Sequence, residues 1–234
     1  MITMPEARVV DRWSNSVEFQ LIDIKDGVKI SNGVIKILSA LNSQAFSFSE
    51  PTPQDETRDR LAVVDTILFA YQHSKAVGFA TFQEIASGSQ RVVYQSRGII
   101  ASHRKLGIGR YFTRFAIKYH KPDILVAHAQ NPISIWATIQ SRLLECIYPI
   151  DKLYSEDSAM QNTLINIITT RNTESYISID TGLHQGAYRM GKLGDYEVDL
   201  THPGIAMVEG KLQSLGLDRE RGDAIYYMGK VNKI

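Results

Sequence analysis

One cysteine, Cys146, stands among 234 residues, so no disulfide can form within the chain. Long hydrophobic runs are missing too. No stretch approaches the ~20 apolar residues of a membrane span without a charged or polar break, which argues against a membrane partner. Neither sign of charge is in excess: 26 Lys and Arg face 25 Asp and Glu, a formal net charge of +1. That balance gives no global case for nucleic acid. The first residues, Met1 to Arg8, lack the apolar core of a secretory leader. With a single cysteine, a cytoplasmic location is the expectation. No internal repeat or low-complexity tract is present. The histidines, at 73, 103, 120, 128, 184 and 202, have no ligand spacing such as His-x-x-x-His, so no metal site is expected. A Gly-x-Ser-x-Gly elbow is absent, and no motif surrounds Cys146.

What is present suffices for a sizeable core. The hydrophobic fraction is 44%, and the length fits one domain with an extension or two small ones. Val17 to Ile24 has strand spacing, Asp26-Gly27 signals a turn, and Ile30 to Phe46 carries Val34, Ile35, Ile37, Leu38 and Leu41 at helical spacing. Phe46 to Thr57, with Pro51, Pro53 and several acids, reads as a loop. Leu61 to Tyr71 and Ala76 to Phe82 make an antiparallel hairpin around Gln72 to Lys75. After a turn at Ala86 to Ser89, a third strand runs from Arg91 to Ser102.

The segment Arg97-Gly98-Ile99-Ile100-Ala101-Ser102-His103-Arg104-Lys105-Leu106-Gly107-Ile108-Gly109-Arg110 reads as a strand, a basic glycine-containing loop and the first turn of a helix. A helix start offers backbone N–H groups and the positive end of a dipole to an anion. Gly107 and Gly109 let a phosphate approach the backbone. Arg104, Lys105 and Arg110 add charged donors. The helix places Ile108, Tyr111, Phe112, Phe115, Ala116 and Tyr119 on one face, and Lys121-Pro122-Asp123 ends it. Ile124 to Ala129 reads as a buried strand parallel to the one before the loop, reached by a right-handed crossover. Asn131-Pro132 opens a helix through Ile133, Ile135, Trp136, Ile139, Leu143 and Leu144.

The spacing Arg104-x-x-Gly107-x-Gly109, set between strand and helix, resembles the acyl-coenzyme A signature of the GNAT acyltransferase superfamily. The resemblance covers roughly residues 17 to 145. It implies a mixed α/β (α+β) fold whose mostly antiparallel sheet holds one splayed parallel strand pair and is flanked by helices. It also implies acetyl-coenzyme A, or another acyl-coenzyme A, as co-substrate, with no metal. Ile99, Ile100, Ala101, Arg104, Lys105, Leu106, Gly107, Ile108, Gly109 and Arg110 would hold it. The amides near Ile99 to Ala101 would steady the developing oxyanion. Asn131 falls where the family's pantetheine-contacting Asn is expected. The family's Tyr, general acid toward the leaving thiolate, is replaced here by Thr138.

Beyond Tyr148-Pro149 the pattern changes. Leu164 to Thr170 and Tyr176 to Ile179 alternate like strands, Thr181 to Gly194 reads as an irregular loop, and His202-Pro203-Gly204 as a turn. Ile205 to Leu215 suits a short helix and Ala224 to Val231 a last strand. Residues 1–150 are expected to form the core, and 151–234 an α+β extension packed on it that shapes the acceptor site. For the base that deprotonates an amine acceptor, His128 ranks first, then Glu84 and Tyr94. The expected activity is acyl transfer to the amine of a small molecule or peptide. Three alternatives stay open: a longer, fatty acyl donor; a non-catalytic protein that senses coenzyme A esters; and an interaction protein dimerising through its extension.

Overall fold

Period-two alternation builds the first half of the chain, and the computed structural model assembles it into a sheet. It describes residues 7–13, 17–24, 30–48, 50–171, 176–188, 191–193 and 197–232. The strands are β1 (Ala7–Trp13), β2 (Val17–Asp23), β3 (Thr66–Gln72), β4 (Lys75–Ser87), β5 (Gln90–Ile99), β6 (Ile124–Ala129), β7 (Leu144–Tyr148), β8 (Leu183–His184) and β9 (Ala224–Val231). The helices are α1 (Asn32–Phe46), α2 (Gln54–Leu61), α3 (Ile108–His120), α4 (Pro132–Ile139), α5 (Ser158–Thr170) and α6 (Pro203–Ser214). Among the described residues the strand order is β1-β2-β3-β4-β5-β6-β9-β7, with β8 paired to β9 off that path. No described helix is long and apolar enough to cross a membrane. The chain divides into two compact units, Met1–Glu84 with Gln95–Phe112 and Ile85–Tyr94 with Thr113–Ile234.

In the first unit β1 to β4 form antiparallel ladders. Phe19, Leu21, Ile22, Ile67, Leu68 and Phe69 are buried. The β3–β4 turn is His73-Ser74, both at positive φ (48° and 61°), the conformation whose twist matches a two-residue hairpin. Ser31 caps α1 through Val34 N. The expected loop from Phe46 to Thr57 is shorter than its composition implies. Ser43 Oγ accepts Thr52 N at 2.8 Å, Asn42 Nδ2 donates to Thr52 Oγ1 at 2.7 Å, and Ser39 Oγ donates to Thr52 O. These bonds pin the connector to α1. Asp55 and Glu56 then fill the first turn of α2 and Arg58 and Arg60 its end, the polarity a helix dipole favours.

In the second unit β9 runs between β6 and β7, antiparallel to both. Asp123 N donates to Arg91 O at 2.8 Å, and Arg91 N to Asp123 Oδ2 at 3.0 Å. The starts of β5 and β6 therefore lie side by side, and these neighbours form the parallel pair of the sheet. Alternation along β9 feeds two cores. Tyr226 and Met228 pack with Met160, Leu164 and Ile167 of α5, whereas Ile225 and Tyr227 pack with Ile135 of α4 and Val208 and Leu212 of α6. Both faces are covered, so β9 reads as a nearly continuous apolar run.

Several expectations change here. Leu164 to Thr170 is helical: Asp157 caps α5 by accepting Ala159 N and Met160 N, and Met160, Leu164 and Ile167 are buried at helical spacing. Packing overrides the β-branched composition. The helix α4 stops at Ile139, because Arg142 takes positive φ (57°) and Leu144 begins β7. β5 ends at Ile99, and Ala101–His103 is a 3-10 turn. His202-Pro203-Gly204 is the start of α6: His202 Nδ1 accepts Ile205 N at 3.4 Å and Pro203 occupies the first helical position. Of Tyr176 to Ile179, a single bridge forms, Ile177 to His184. The stretch from Thr181 contains β8, while residues 189, 190 and 194 of it, and the Asp26-Gly27 turn, lie outside the described residues.

Among the ion pairs of this unit, one joins the N-cap of α5 to β9. Asp157 Oδ2 accepts Lys230 Nζ at 2.7 Å and Tyr148 OH at 2.9 Å. Lys230, with Tyr148, draws the Asp157 carboxyl from 3.8 down to about 2. A depressed carboxyl stabilises the fold above its unfolded pKa and loses that contribution as pH falls through the folded one. Lys230 is 38% exposed, so the contribution is discounted to about 1 kcal/mol. In acid-unfolding series between about pH 4 and pH 2, wild type is expected to lose stability more steeply than Asp157→Asn.

Candidate active site

The first unit holds the glycine loop. At the end of β5, Ile100 N donates to Val77 O at 3.1 Å. Gly98 allows this approach, since a Cβ there would stand 2.6 Å from the Phe79 ring and 2.9 Å from Ala45 Cβ. The chain turns through His103 N to Ile100 O (2.9 Å) and Arg104 N to Ala101 O (3.2 Å). Lys105 (64°) and Gly107 (81°) take positive φ. Tyr111 N to Gly107 O, 3.0 Å, is the first bond of α3, so the amides of Ile108 and Arg110 precede any partner within the helix. Phe19 stacks on Tyr111, ring centroids 3.7 Å apart, and meets Phe112 edge-on at 6.0 Å. The first turn of α3 is thereby fixed on β2.

Two arginines brace the loop. Arg104 donates Nη2 to Ala45 O at 2.8 Å and Nε to Ile99 O at 3.3 Å. Arg97 donates Nη1 to Gly109 O at 2.8 Å. Arg104 thus grips backbone carbonyls on both sides of the turn and sets its shape. Lys105 and Leu106 are exposed, and Ile108 is buried. Arg110 Nε is shielded from solvent and hydrogen-bonded to nothing among the described residues. His103 ties the turn to β3, with Nε2 2.8 Å from Gln72 Oε1 and Nδ1 2.8 Å from Ser102 Oγ. Glu84, also in this unit, is half-buried, and its amide donates to Asp65 Oδ2 at 2.5 Å.

The second unit brings Tyr94 and His128 around one ring. His128 on β6 stacks on Tyr226 at 4.3 Å, and Tyr94 lies 6.4 Å from that same ring. The Arg171 guanidinium carbon sits 3.9 Å from the Tyr94 centroid. Burial holds the His128 pKa well below its ordinary value, with His184 and Arg171 adding to the effect. His128 is therefore neutral near pH 7 and a weak base. Asn131 caps α4, its Oδ1 accepting Ile133 N at 2.9 Å. Thr138 Oγ1 lies 3.2 Å from the hydroxyl of Tyr227, which is 2% exposed.

Sequence reasoning missed His184, Tyr188 and Tyr227. The first two lie in a glycine-rich stretch without periodicity, so only long-range pairing of β8 with β9 reveals them. Tyr227 carried a signal, because alternation along β9 puts it on the face opposite Tyr226. No three His, Cys, Asp or Glu side chains that could hold a metal ion lie together among the described residues.

No protein-family model matches the chain, and no curated protein matches its sequence. Solved structures do. A protein provisionally named a phosphinothricin N-acetyltransferase is 11% identical over 92% of this chain and 99% of its own, with a TM-score of 0.51. The ribosomal-protein-S18-alanine N-acetyltransferase of Escherichia coli is 10% identical over 92% and 96%, at 0.44. A GNAT family acetyltransferase from Brucella melitensis, in complex with acetyl-CoA, is 13% identical over 47% and 74%, at 0.35. At that identity the first superposition shows a shared overall fold with that N-acetyltransferase.

Proposed function

We propose that the protein is an acyl-coenzyme A-dependent N-acyltransferase, acetyl-coenzyme A being its default donor and a small-molecule or peptide amine its acceptor. The observation that supports this reading is the strand, braced glycine turn and helix start from Arg97 to Arg110, whose leading helix amides suit an anion such as a pyrophosphate. Lys105 and the amides from Gly107 to Arg110 take the pyrophosphate, while Arg104 shapes the turn. Asn131 contacts the pantetheine arm. The acceptor amine attacks the thioester carbon as a neutral nucleophile, the carbonyl electrons moving to oxygen near the amides of Ile99 to Ala101. The attacking nitrogen becomes positively charged and acidic and gives its proton to a base, the role proposed for His128. A weak base is sufficient for that step. The C–S bond then breaks as the carbonyl re-forms, its electron pair leaves with sulfur, and the thiolate takes a proton from solvent. Residues 151–234 provide the acceptor side.

Thiol release and product mass, followed with acetyl- and longer acyl-coenzyme A and a panel of amines, test the assignment. Acyl transfer supports it. Binding of the esters with no turnover on any amine favours the sensing protein, and no binding removes both.

A further inference from the structure

Three ring nitrogens in the second unit are buried and hydrogen-bonded to nothing among the described residues: His128 Nε2, His184 Nδ1 and His184 Nε2. His184 is 5% exposed. Its placement is firmly fixed. β8 pairs Leu183 with Ile225 and His184 with Ala224, and Tyr226 N donates to Gly182 O at 2.9 Å. The His184 ring stacks with His128 at 5.1 Å and lies parallel to Tyr226 at 6.0 Å. Tyr188 approaches His128 at 5.6 Å. A phenylalanine would stack equally well at 184 and leave no polar atom unsatisfied. The two imidazoles hold donors and acceptors for a group that the described residues do not supply.

The surroundings define that group. Arg171, at the end of α5, helps keep His128 neutral, and burial lowers the His184 pKa against the opposing pull of Asp223. The Asp223 carboxylate is already held by Arg221 Nε at 2.8 Å and by the amides of Gly186 and Asp218. The Arg171 charge that lowers the His128 pKa also disfavours an ammonium beside that ring, and the Asp223 carboxylate that pulls on His184 is already engaged. Two neutral imidazoles and the rings of Tyr188 and Tyr226 suit a flat, uncharged partner. We propose that the His128–His184 pair is the acceptor subsite, and that it takes a weakly basic amine carried on a planar aromatic ring. The amine donates an N–H to an imidazole nitrogen and keeps its lone pair free. This rests on the acyltransferase reading above.

Aniline and benzylamine separate the charge states, since at pH 7 the first is neutral and the second an ammonium. Binding to the full chain is read by calorimetry and by the histidine side-chain nitrogen resonances. Aniline is expected to bind at least about tenfold tighter at pH 7 and to shift the His128 and His184 signals. Benzylamine affinity is expected to rise about tenfold per pH unit between about pH 7 and pH 9, following its neutral fraction. Equal affinity, tighter benzylamine binding, or no binding of either overturns the proposal. His184→Phe is expected to raise Tm by about 2 to 4 °C, by removing unsatisfied nitrogens, and to weaken aniline at least about tenfold. A raised Tm with aniline binding intact makes His184 structural and overturns the proposal; His184→Asn serves where the Phe variant does not fold. Acetyl-coenzyme A is titrated on the same samples. Aniline binding without donor binding sinks the acyltransferase reading and keeps the subsite, and the converse sinks only the subsite.

Discussion

Replacing Gly107 with valine is expected to abolish measurable acyl-coenzyme A binding while leaving the fold largely intact. Gly107 has φ of 81°, a conformation that a β-branched residue adopts only with strain of roughly 1–3 kcal/mol. The valine would either pull the turn into another shape or keep it and cover the amides at the start of α3. If the loop holds the pyrophosphate as proposed, both outcomes remove two or more charge-assisted hydrogen bonds to it, a loss of about 100-fold or more in affinity. The position is half-buried in a turn, so the sheet ladders are untouched and Tm is expected to drop by only a few degrees. Undiminished binding by a folded Gly107→Val protein would take the pyrophosphate away from this loop. Arg104→Ala probes a different effect. Its guanidinium grips Ala45 O and Ile99 O, so the loss in affinity should come from a loosened turn.

The largest effect on stability is expected at Gly222. Its φ is 82°, and a Cβ there would stand 2.0 Å from the backbone oxygen of Tyr188 and 3.3 Å from Gly191 Cα. Neither neighbour is a flexible side-chain end. Both backbones are also tied: Tyr188 N donates to Gly222 O at 2.9 Å, and Gly222 N to Arg219 O at 2.9 Å. Gly222→Ala therefore carries a conformational penalty of about 1 kcal/mol and must also displace the segment carrying Tyr188. The total is expected near ~3–4 kcal/mol, or roughly 10 °C in Tm for a chain of this size. Because Tyr188 faces His128, the His128 resonances should move as well. Gly216 is the control. It has φ of 80°, but nothing lies within 4 Å of its Cβ position, so Gly216→Ala should cost only about 1 kcal/mol. Chemical denaturation of the two variants reads the difference; equal losses would mean that the contact with Tyr188 is accommodated.

The first half of the fold was legible because its signals are local. Alternation in Val17 to Asp23 and Thr66 to Gln72, the helical spacing of α1 and α3, and glycines flanking a basic turn each act over a few residues. The second half depends on partners far away in sequence. Leu164 to Thr170 has strand-like composition, yet α5 is helical because Met160, Leu164 and Ile167 have β9 to pack against. The insertion of β9 between β6 and β7 joins residues about a hundred positions apart in sequence, and no local pattern announces it. The candidate site divides the same way. Its glycine turn could be read directly from Arg104 to Gly109. Tyr94 and His128 were named without their surroundings, and His184, which adds to the lowering of the His128 pKa, comes from the segment whose periodicity is weakest. The replacement of a phenol on α4 by Thr138 reads as a loss in sequence, whereas in the fold the Tyr227 hydroxyl lies 3.2 Å away.

Calorimetric titration of the purified protein with acetyl-coenzyme A tests the central assignment most directly. A saturable isotherm with one donor per chain is expected, displaced by free coenzyme A and abolished in Gly107→Val. A folded protein that takes up no heat with acetyl-coenzyme A or longer esters at millimolar concentration would contradict it, and would leave the segment from Arg97 to Arg110 an ordinary strand-to-helix turn.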